Sequence, residues 1–264
     1  MPIDSQRRED IYRLVLEGAL VSRTWLKNNS LSNHAIDNLV KSNQLERVRN
    51  GIYKRDGTTV DWGDVVYFLQ RRYNSNFVVG GISAMELQNL AHYLSMSERK
   101  VIHLYGLSNL PSWINVGSNI NTFKKHSKGE ILGLKFTAEQ SKKLDQFTKV
   151  LSWRDTSEGI KMSIPERAIL EVIYQVPHKI SFEHADELMQ GLNTLSPRSL
   201  QPLLELCNNI KVRRLFFWYA ERHGHPWLAK INKDVLDFGS GNRVIVKGGT
   251  LNKKYQITVP ESYE

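Results

Sequence analysis

The stretch LSNHAIDNLVKSNQLERVRNGIYKR, from Leu31 to Arg55, decides the fold of the N-terminal part of the chain. Ser32 can cap a helix, and apolar residues recur after it at helical spacing, which predicts a helix from Asn33 to Lys41. Asn50-Gly51 is the strongest short signal for a tight β-hairpin, and it lies between two short runs that suit strands. The stretch therefore predicts a helix followed by a two-stranded β-ribbon.

Two further helices precede this stretch. The run REDIYRLVLEG has apolar residues at helical spacing and ends at Gly18, and Ser22 can cap a short second helix. Three helices followed by a β-ribbon predict a winged helix-turn-helix over residues 1–56.

The third helix presents a polar face to the outside if its apolar stripe faces a core. Asparagine amides suit the edge of adenine, and lysine suits a phosphate or a guanine. Asp37 is a counter-signal because it repels the DNA backbone, although it can accept a hydrogen bond from a cytosine amine. The residues that we expect to contact DNA from this helix are Ser32, Asn33, His34, Asp37, Asn38 and Lys41.

The β-ribbon carries cations near its tip. A two-residue loop at Asn50-Gly51 places Arg47 opposite Lys54, with Arg49 on the same face. Like charges directly opposite each other destabilise a hairpin, and a DNA phosphate among these three side chains would relieve the repulsion. The ribbon is thus predicted to contact DNA phosphates through Arg47, Arg49 and Lys54, with an ordinary solvated face or a protein-binding adaptor as alternatives.

The chain of 264 residues is long enough for two domains, and the polar, turn-rich stretch RDGTTVD is the predicted boundary. We expect a larger mixed α/β domain over residues 61–264, with lobes over 61–160 and 161–264, so that the whole chain is of the α+β class. The sequence predicts helices over Trp62–Leu69, from a capping box at Ser83 to Ala91, and from starts near Ser163, Ser196 and Lys211. It predicts strands over Lys100–Gly106 and Phe147–Arg154, and a terminal hairpin of RVIVKGG and KYQITVP.

The net charge of +9 is unevenly distributed along the sequence. Residues 61–206 are almost balanced, whereas residues 207–254 hold ten basic and three acidic side chains. Such a block suits a polyanionic partner, although solvated basic faces are also common. Its candidates for an anion-binding or antitoxin surface are Arg213, Arg214, Arg222, Lys230 and Lys247.

The same block contains the aromatic run FFWY, from Phe216 to Tyr219. Aromatic rings can stack on nucleic-acid bases. Four successive helical positions, however, point in all directions, so we expect most of this run to be core.

The composition of the sequence indicates the cellular compartment in which the protein works. The single cysteine, Cys207, excludes a disulfide framework and cysteine-based zinc sites. No apolar run approaches the ~18 residues that span a membrane, and the polar start MPIDSQRRED is unlike a secretory signal. We expect a cytoplasmic protein with no membrane partner.

Two patterns hint weakly at metal or nuclease chemistry. His223-Gly-His225 offers two ligands, whereas structural zinc usually needs four. A nuclease-like cluster would draw on Asp145, Asp155, Glu158 and Lys161. Its Glu-x-x-Lys spacing lacks the flanking core strands that such a site needs.

The glycines Gly80-Gly81 precede a predicted helix and could bind a phosphate at its N-terminus. Without the Lys and Ser/Thr of a Walker loop, a tight strand-to-helix turn is favoured. We therefore predict no metal, no cofactor and no enzyme activity.

The sequence as a whole resembles the AbiEi antitoxins of type IV toxin–antitoxin systems. The resemblance rests on LSNHAIDNLVKSNQLERVRNGIYKR, GGISAMELQNLAHYL, SIPERAILEVI, the long run from SFEHADELMQ to RHGHPW, and KGGTLNKKYQITVP. It extends from about Tyr12 to Pro260, and its C-terminal run is the most distinctive part.

The resemblance implies a bifunctional protein. In this family the winged domain binds inverted repeats of double-stranded DNA in its own promoter and represses transcription, and an inverted repeat allows a dimer on the DNA. The C-terminal domain counters a nucleotidyltransferase toxin in abortive infection against phage, without a stable complex. The alternatives are a nucleic-acid-processing enzyme that the winged domain delivers to its substrate, and a plain repressor with a ligand-sensing C-terminal domain.

Overall fold

The structure, a computed structural model, describes residues 5–73, 75–91, 100–114, 121–154, 156 and 158–263, with only the backbone described over residues 5–9. The chain divides into two compact units. Unit 1 comprises Met1–Phe77, Ser108–Asn121 and Val150–Ile160, and unit 2 comprises Val78–Leu107, Thr122–Lys149 and Lys161–Glu264. This division differs from the predicted boundary, because the helix Trp62–Arg71 belongs to unit 1.

Unit 1 has the winged helix-turn-helix order that the sequence predicts. Its helices are α1 (Ser5–Leu14), α2 (Arg23–Asn28), α3 (Asn33–Lys41) and α4 (Trp62–Arg71). Its strands are β1 (Val21–Ser22), β2 (Leu45–Arg49) and β3 (Ile52–Arg55), which form an antiparallel sheet in the order β1-β3-β2. Ser22 caps α2 as predicted, with its hydroxyl accepting from the Trp25 amide at 3.1 Å. Helix α1 ends at Leu14, and Gly18 lies in the following turn with a φ of 74°.

The apolar stripes of α1, α2 and α3 meet the sheet in one small core. Each large apolar side chain buried there stabilises the unit by about 1.5–3 kcal/mol. The core holds Ile11, Val15, Val21, Leu26, Ile36, Leu39, Leu45 and Tyr53.

The remaining elements belong almost entirely to unit 2. The helices are α5 (Gly81–Leu87), α6 (Gly129–Leu132), α7 (Ala138–Asp145), α8 (Pro165–Gln175), α9 (Phe182–Gln190), α10 (Pro197–Leu206) and α11 (Ile210–His223). The strands are β4 (Val78–Val79), β5 (Lys100–Tyr105), β6 (Asn121–His126), β7 (Thr148–Leu151), β8 (Ile160–Ser163), β9 (Thr250–Asn252) and β10 (Ile257–Val259). Short 3₁₀ helices cover Pro226–Lys230 and Glu261–Tyr263.

Strands β4 to β8 form one mixed sheet in the order β6-β5-β4-β8-β7, in which β4 runs antiparallel to β5 and parallel to β8. Helices α8 and α11 lie in the core of the unit, where most of their residues are buried. The aromatic run Phe216 to Tyr219 is buried on every side, which confirms that it is core.

Helix α5 starts earlier than the predicted capping box at Ser83. The amide of Gly81 donates to the buried carboxylate of Glu171 at 2.7 Å, so a side chain of α8 satisfies the start of the helix. Ser83 lies inside the helix, and its hydroxyl donates to the Val101 carbonyl at 3.1 Å. The predicted strand-to-helix turn at Gly80-Gly81 is confirmed, since β4 leads directly into α5.

The terminal hairpin pairs β9 with β10 rather than the predicted RVIVKGG strand with β10. The hydroxyl of Thr258 accepts from the amides of Ile245 and Val246 at 2.9 and 3.0 Å. The Thr258 side chain thus makes hydrogen bonds that backbone groups would make in a regular strand pair. Within the predicted strand, only Arg243 forms a β-bridge, and its partner is Ile257.

Candidate nucleic-acid interface

Helix α3 has the bounds and the cap that the sequence predicts. The Ser32 hydroxyl accepts from the Ala35 amide at 3.1 Å, and Ile36 and Leu39 are buried. The side chains that the helix leaves exposed are Asn33, His34, Asn38 and Lys41. An exposed row of amide, imidazole and ammonium groups on one helix is able to donate to and accept from base edges and phosphates.

Arg23 fixes the position of α3, a role that no local sequence signal indicates. Its guanidinium donates to the Asp37 carboxylate at 2.8 Å, and to the Asn33 side-chain and backbone oxygens at 3.1 and 3.2 Å. It also donates to the Tyr53 hydroxyl on β3 at 3.1 Å. Hydrogen bonding to Asp37 raises the pKa of Arg23. One side chain therefore joins the start of α2, the N-terminal half of α3 and the wing.

The Arg23–Asp37 ion pair changes the electrostatic effect that Asp37 is expected to have on DNA. An isolated carboxylate on a recognition helix repels DNA, whereas a carboxylate that is paired with a guanidinium contributes little net charge. Asp37 is only half-exposed, with 46% of its side chain accessible. It therefore acts as an anchor of α3, and the outward face of the helix is not acidic.

His34 and Asn38 contact each other on the exposed face of α3. The Asn38 amide nitrogen lies 3.1 Å from the His34 Nδ1, one helical turn away. Together with Lys41 they line an open groove of about 880 Å³, whose other wall includes Leu14 of α1 and Leu31 of the turn before α3.

The wing has a different register from the predicted one. Glu46 pairs with Lys54 and Arg47 pairs with Tyr53, and the register then shifts so that Arg49 pairs with Ile52. Val48 is the extra residue of a β-bulge, which moves the pairing by one position. The predicted pairing of Arg47 with Lys54 is therefore wrong.

The three wing cations do not share one face as predicted. Lys54 forms an ion pair with Glu46 at 2.7 Å and donates to the Thr58 carbonyl, so it points away from the tip. Arg47 is exposed, and its guanidinium lies 6.0 Å from the ring centre of Tyr53. Arg49 is half-buried. Arg47 is consequently the wing residue best placed for a phosphate contact.

Two of the predicted C-terminal anion contacts are structural residues instead. Arg213 is 3% exposed and donates to the carbonyls of Leu204, Cys207 and Asp237. Arg214 is 1% exposed. Its guanidinium donates to the carbonyls of Phe238, Gly241 and Gln256 at 2.6 to 3.0 Å. Both guanidinium groups satisfy backbone carbonyls inside unit 2, so neither contributes to an anion-binding surface.

The other members of that predicted surface are accessible. Arg222 pairs with Asp186 at 3.6 Å and packs over the rings of Trp218 and Tyr263. Lys230, at the end of the first 3₁₀ helix, and Lys247, before β9, are exposed. The accessible positive charge of this region is therefore smaller than the sequence count indicates.

The histidines of the His223-Gly-His225 turn bond to neighbouring protein atoms. His223 Nε2 lies 2.8 Å from the Asp186 carboxylate, and His225 Nε2 lies 2.7 Å from the Met189 carbonyl. Burial lowers the pKa of His225. Over the described residues, no three His, Cys, Asp or Glu side chains are grouped so that they could hold a metal ion.

The carboxylates of the nuclease-like pattern are paired with cations. Asp145 lies 2.6 Å from the ammonium of Lys128, and Glu158 lies 3.3 Å from Arg71. Asp155 lies outside the described residues. In the part of the chain that the structure describes, no helix is long and apolar enough to cross a membrane.

Comparison with known families covers almost the whole chain. Residues 99–260 match the family model "Transcriptional regulator, AbiEi antitoxin, Type IV TA system". Residues 6–96 match the model of the AbiEi antitoxin N-terminal domain. The chain belongs to the AbiEi antitoxin family. The resemblance that the sequence motifs indicated is thereby confirmed, and the protein is a member of a transcriptional-regulator family of type IV toxin–antitoxin systems.

Among solved structures, the AbiEi fold of this chain is similar to that of the RV2827C protein from Mycobacterium tuberculosis. The TM-score is 0.53 at 14% sequence identity, over 90% of this chain and 85% of that chain. At this identity the similarity concerns the fold alone. Comparison with curated proteins gave no match.

Proposed function

We propose that this antitoxin binds an inverted repeat in its own promoter through α3 and the wing, and represses its transcription. The observation that carries the proposal is the exposed face of α3, which presents Asn38 and Lys41 beside the Arg23–Asp37 anchor. A firmly positioned recognition helix with amide and ammonium groups suits the major groove.

The residues take different roles in this proposal. Asn38 reads a base edge, since its carboxamide can both donate and accept at adenine. Lys41 and the wing residue Arg47 bind phosphates on either side of the contacted bases. Asn33 uses its side-chain oxygen for Arg23 and so positions the helix in addition to facing the DNA.

Fluorescence anisotropy with a labelled fragment of the protein's own promoter tests this function. We expect tight binding to the promoter fragment, weak binding to a scrambled fragment, and loss of the difference in an Asn38→Ala, Lys41→Ala double variant. A matched variant is Lys27→Ala at an exposed position of α2, which should retain the preference. Equal binding of both fragments by the unaltered protein would contradict the proposal.

We further propose that unit 2 counters a nucleotidyltransferase toxin. Membership of the antitoxin family supports this role. We expect a nucleotidyltransferase toxin gene beside this one, and co-expression with that toxin tests the role separately from DNA binding. The full chain carrying the Asn38→Ala, Lys41→Ala substitutions should still rescue growth, and failure of the unaltered chain to rescue growth would contradict antitoxin function.

A further inference from the structure

His34 and Asn38 lie one helical turn apart on α3, and their side chains contact each other. The Asn38 amide nitrogen is 3.1 Å from His34 Nδ1, and both side chains are exposed. Within the described ranges of the chain, neither side chain has another hydrogen-bond partner. The orientation of the Asn38 amide is therefore set by its contact with His34.

The contact requires a lone pair on one particular nitrogen of His34. An amide nitrogen donates and cannot accept, so Nδ1 accepts from Asn38, and a neutral ring then carries its proton on Nε2. Asn38 retains its carbonyl oxygen and its second N–H for a further partner. One acceptor and one donor are what the major-groove edge of adenine pairs with, through its N6 amine and its N7.

A proton on His34 Nδ1 reverses this arrangement. The protonated nitrogen is a donor, and it faces an amide N–H that is also a donor. Half a turn of the Asn38 amide removes the conflict, because its oxygen then accepts from Nδ1, and the terminal torsion of asparagine allows this turn. Asn38 is left with two N–H donors, which suit guanine, whose N7 and O6 are both acceptors.

The groove beside α3 holds the charged groups that act on His34. Asp10 of α1 and Lys41 of α3 line it together with His34. Asp37, the other carboxylate near this part of α3, is paired with Arg23. Asp10 and Lys41 favour opposite charge states of the imidazole, and a DNA phosphate close to the groove would favour the protonated ring.

We propose that His34 is a specificity-determining residue, which sets the base preference of Asn38 through its own protonation state. With Nδ1 unprotonated, Asn38 selects adenine, and with Nδ1 protonated it selects guanine at the same position. His34 acts through Asn38 and need not touch DNA, so it is a positioning residue. This role rests on the proposed DNA binding by α3 and names a determinant of the sequence that α3 reads.

Nuclear Overhauser measurements on the full chain without DNA test the pair itself. The contact between the Asn38 amide protons and the His34 Cε1 proton should be strong at about pH 8 and weaker at about pH 5, the range over which histidine ordinarily changes charge. It weakens because the amide nitrogen turns away from Nδ1. A contact of equal strength at both pH values would overturn the role of His34.

Two promoter fragments test the base preference. They differ only at the base pair where Asn38→Ala loses discrimination, with adenine in one fragment and guanine in the other. The ratio of the affinity for the adenine fragment to that for the guanine fragment should fall by about tenfold between about pH 8 and about pH 5. A protonated His34 that only attracts phosphates would strengthen binding to both fragments equally, and an unchanged ratio would therefore overturn the role.

Two variants assign the pH dependence to His34. His34→Phe keeps a ring but has no nitrogen to bond Asn38, so the ratio should be intermediate and equal at both pH values. The matched control His178→Phe removes an exposed histidine of unit 2, and should keep the pH dependence of the unaltered protein. A pH dependence that survives in His34→Phe, or that disappears in His178→Phe, would overturn the role of His34.

The same titrations distinguish this role from DNA binding as such. Absence of binding to every promoter fragment at both pH values would contradict DNA binding by α3, and with it the role of His34. Promoter binding with a ratio that does not depend on pH would contradict the role of His34 alone. If His34→Phe does not fold, the ratio and the Overhauser contact of the unaltered protein still decide the proposal.

Discussion

Arg23 and Asp37 form an ion pair of 2.8 Å that ties the first residue of α2 to the middle of α3. The same guanidinium reaches the Tyr53 hydroxyl, and Tyr53 is completely buried in the core of unit 1. One side chain thus fixes helix α3 to the sheet of unit 1. Such pre-positioning reduces the conformational freedom that a protein must give up when it binds DNA.

Replacement of Arg23 by alanine should weaken binding to the promoter although Arg23 itself need not touch DNA. The change releases Asp37, which restores an unpaired carboxylate to the face of α3, and loosens α3 against β3. Anisotropy titrations should show a larger loss for Arg23→Ala than for the control Lys27→Ala. An Asp37→Asn change in the same chain should recover part of the loss, and no recovery would show that the released carboxylate does not contribute to it.

The corrected wing register predicts different roles for Arg47 and Lys54. Arg47→Ala should reduce the slope of log affinity against log salt concentration by about 1, as expected for one lost phosphate contact. Lys54→Ala should leave the slope unchanged, because Lys54 is already paired with Glu46. Affinity measurements at a series of salt concentrations test both predictions. Equal slopes for the two variants would contradict the different roles given to Arg47 and Lys54.

Arg213 should contribute to the stability of the folded protein and not to a positively charged surface. Arg213→Met should lower the free energy of unfolding by about 3 kcal/mol, since three carbonyls each lose a donor worth about 1 kcal/mol. Urea denaturation measures this change. The matched control is Lys230→Met, the same loss of charge at an exposed position, which should stay within about 0.5 kcal/mol of the unaltered protein.

Glu221 should contribute stability that depends on pH. Burial alone would raise its pKa, but hydrogen bonds from Lys233, Lys254 and Tyr255 outweigh it and hold the pKa of Glu221 at about 2. A carboxylate with a lowered pKa stabilises the folded state above its unfolded pKa of about 4.5, and the contribution is lost as the pH falls toward 2. Because the group is partly exposed, the contribution is about 1 kcal/mol.

Chemical denaturation of the unaltered protein and Glu221→Gln at a series of pH values tests this. The stability difference should be present at pH 7 and should shrink steadily below about pH 4.5. A difference that stays constant down to pH 3 would show that the loss comes from packing and not from the charge.

Helix α3 was predictable because its sequence signals are local. The Ser32 cap and the spacing of Ile36 and Leu39 fix both ends and the buried face of α3 within a dozen residues. The register of the wing was not predictable in this way. Asn50-Gly51 correctly indicates the turn, but the bulge at Val48 depends on the burial of Tyr53 and on pairing of β3 with β1, which lie outside the hairpin.

The roles of Arg213 and Arg214 could have been predicted from a signal that the charge count obscured. Four successive aromatic residues from Phe216 to Tyr219 imply that α11 is buried on all sides, and the preceding turn of the same helix is then buried as well. No comparable signal exists for Arg23, because Asp37 and Tyr53 lie ten or more residues away and only the folded unit brings them together.

A scan of single base-pair substitutions across the promoter site, measured with the unaltered protein and with Asn38→Ala, tests the central claim most directly. If α3 reads DNA, Asn38→Ala should lose about 1–3 kcal/mol of discrimination at one base pair of each half-site and retain the rest of the profile. Identical base-preference profiles for the two proteins would contradict readout through the exposed face of α3.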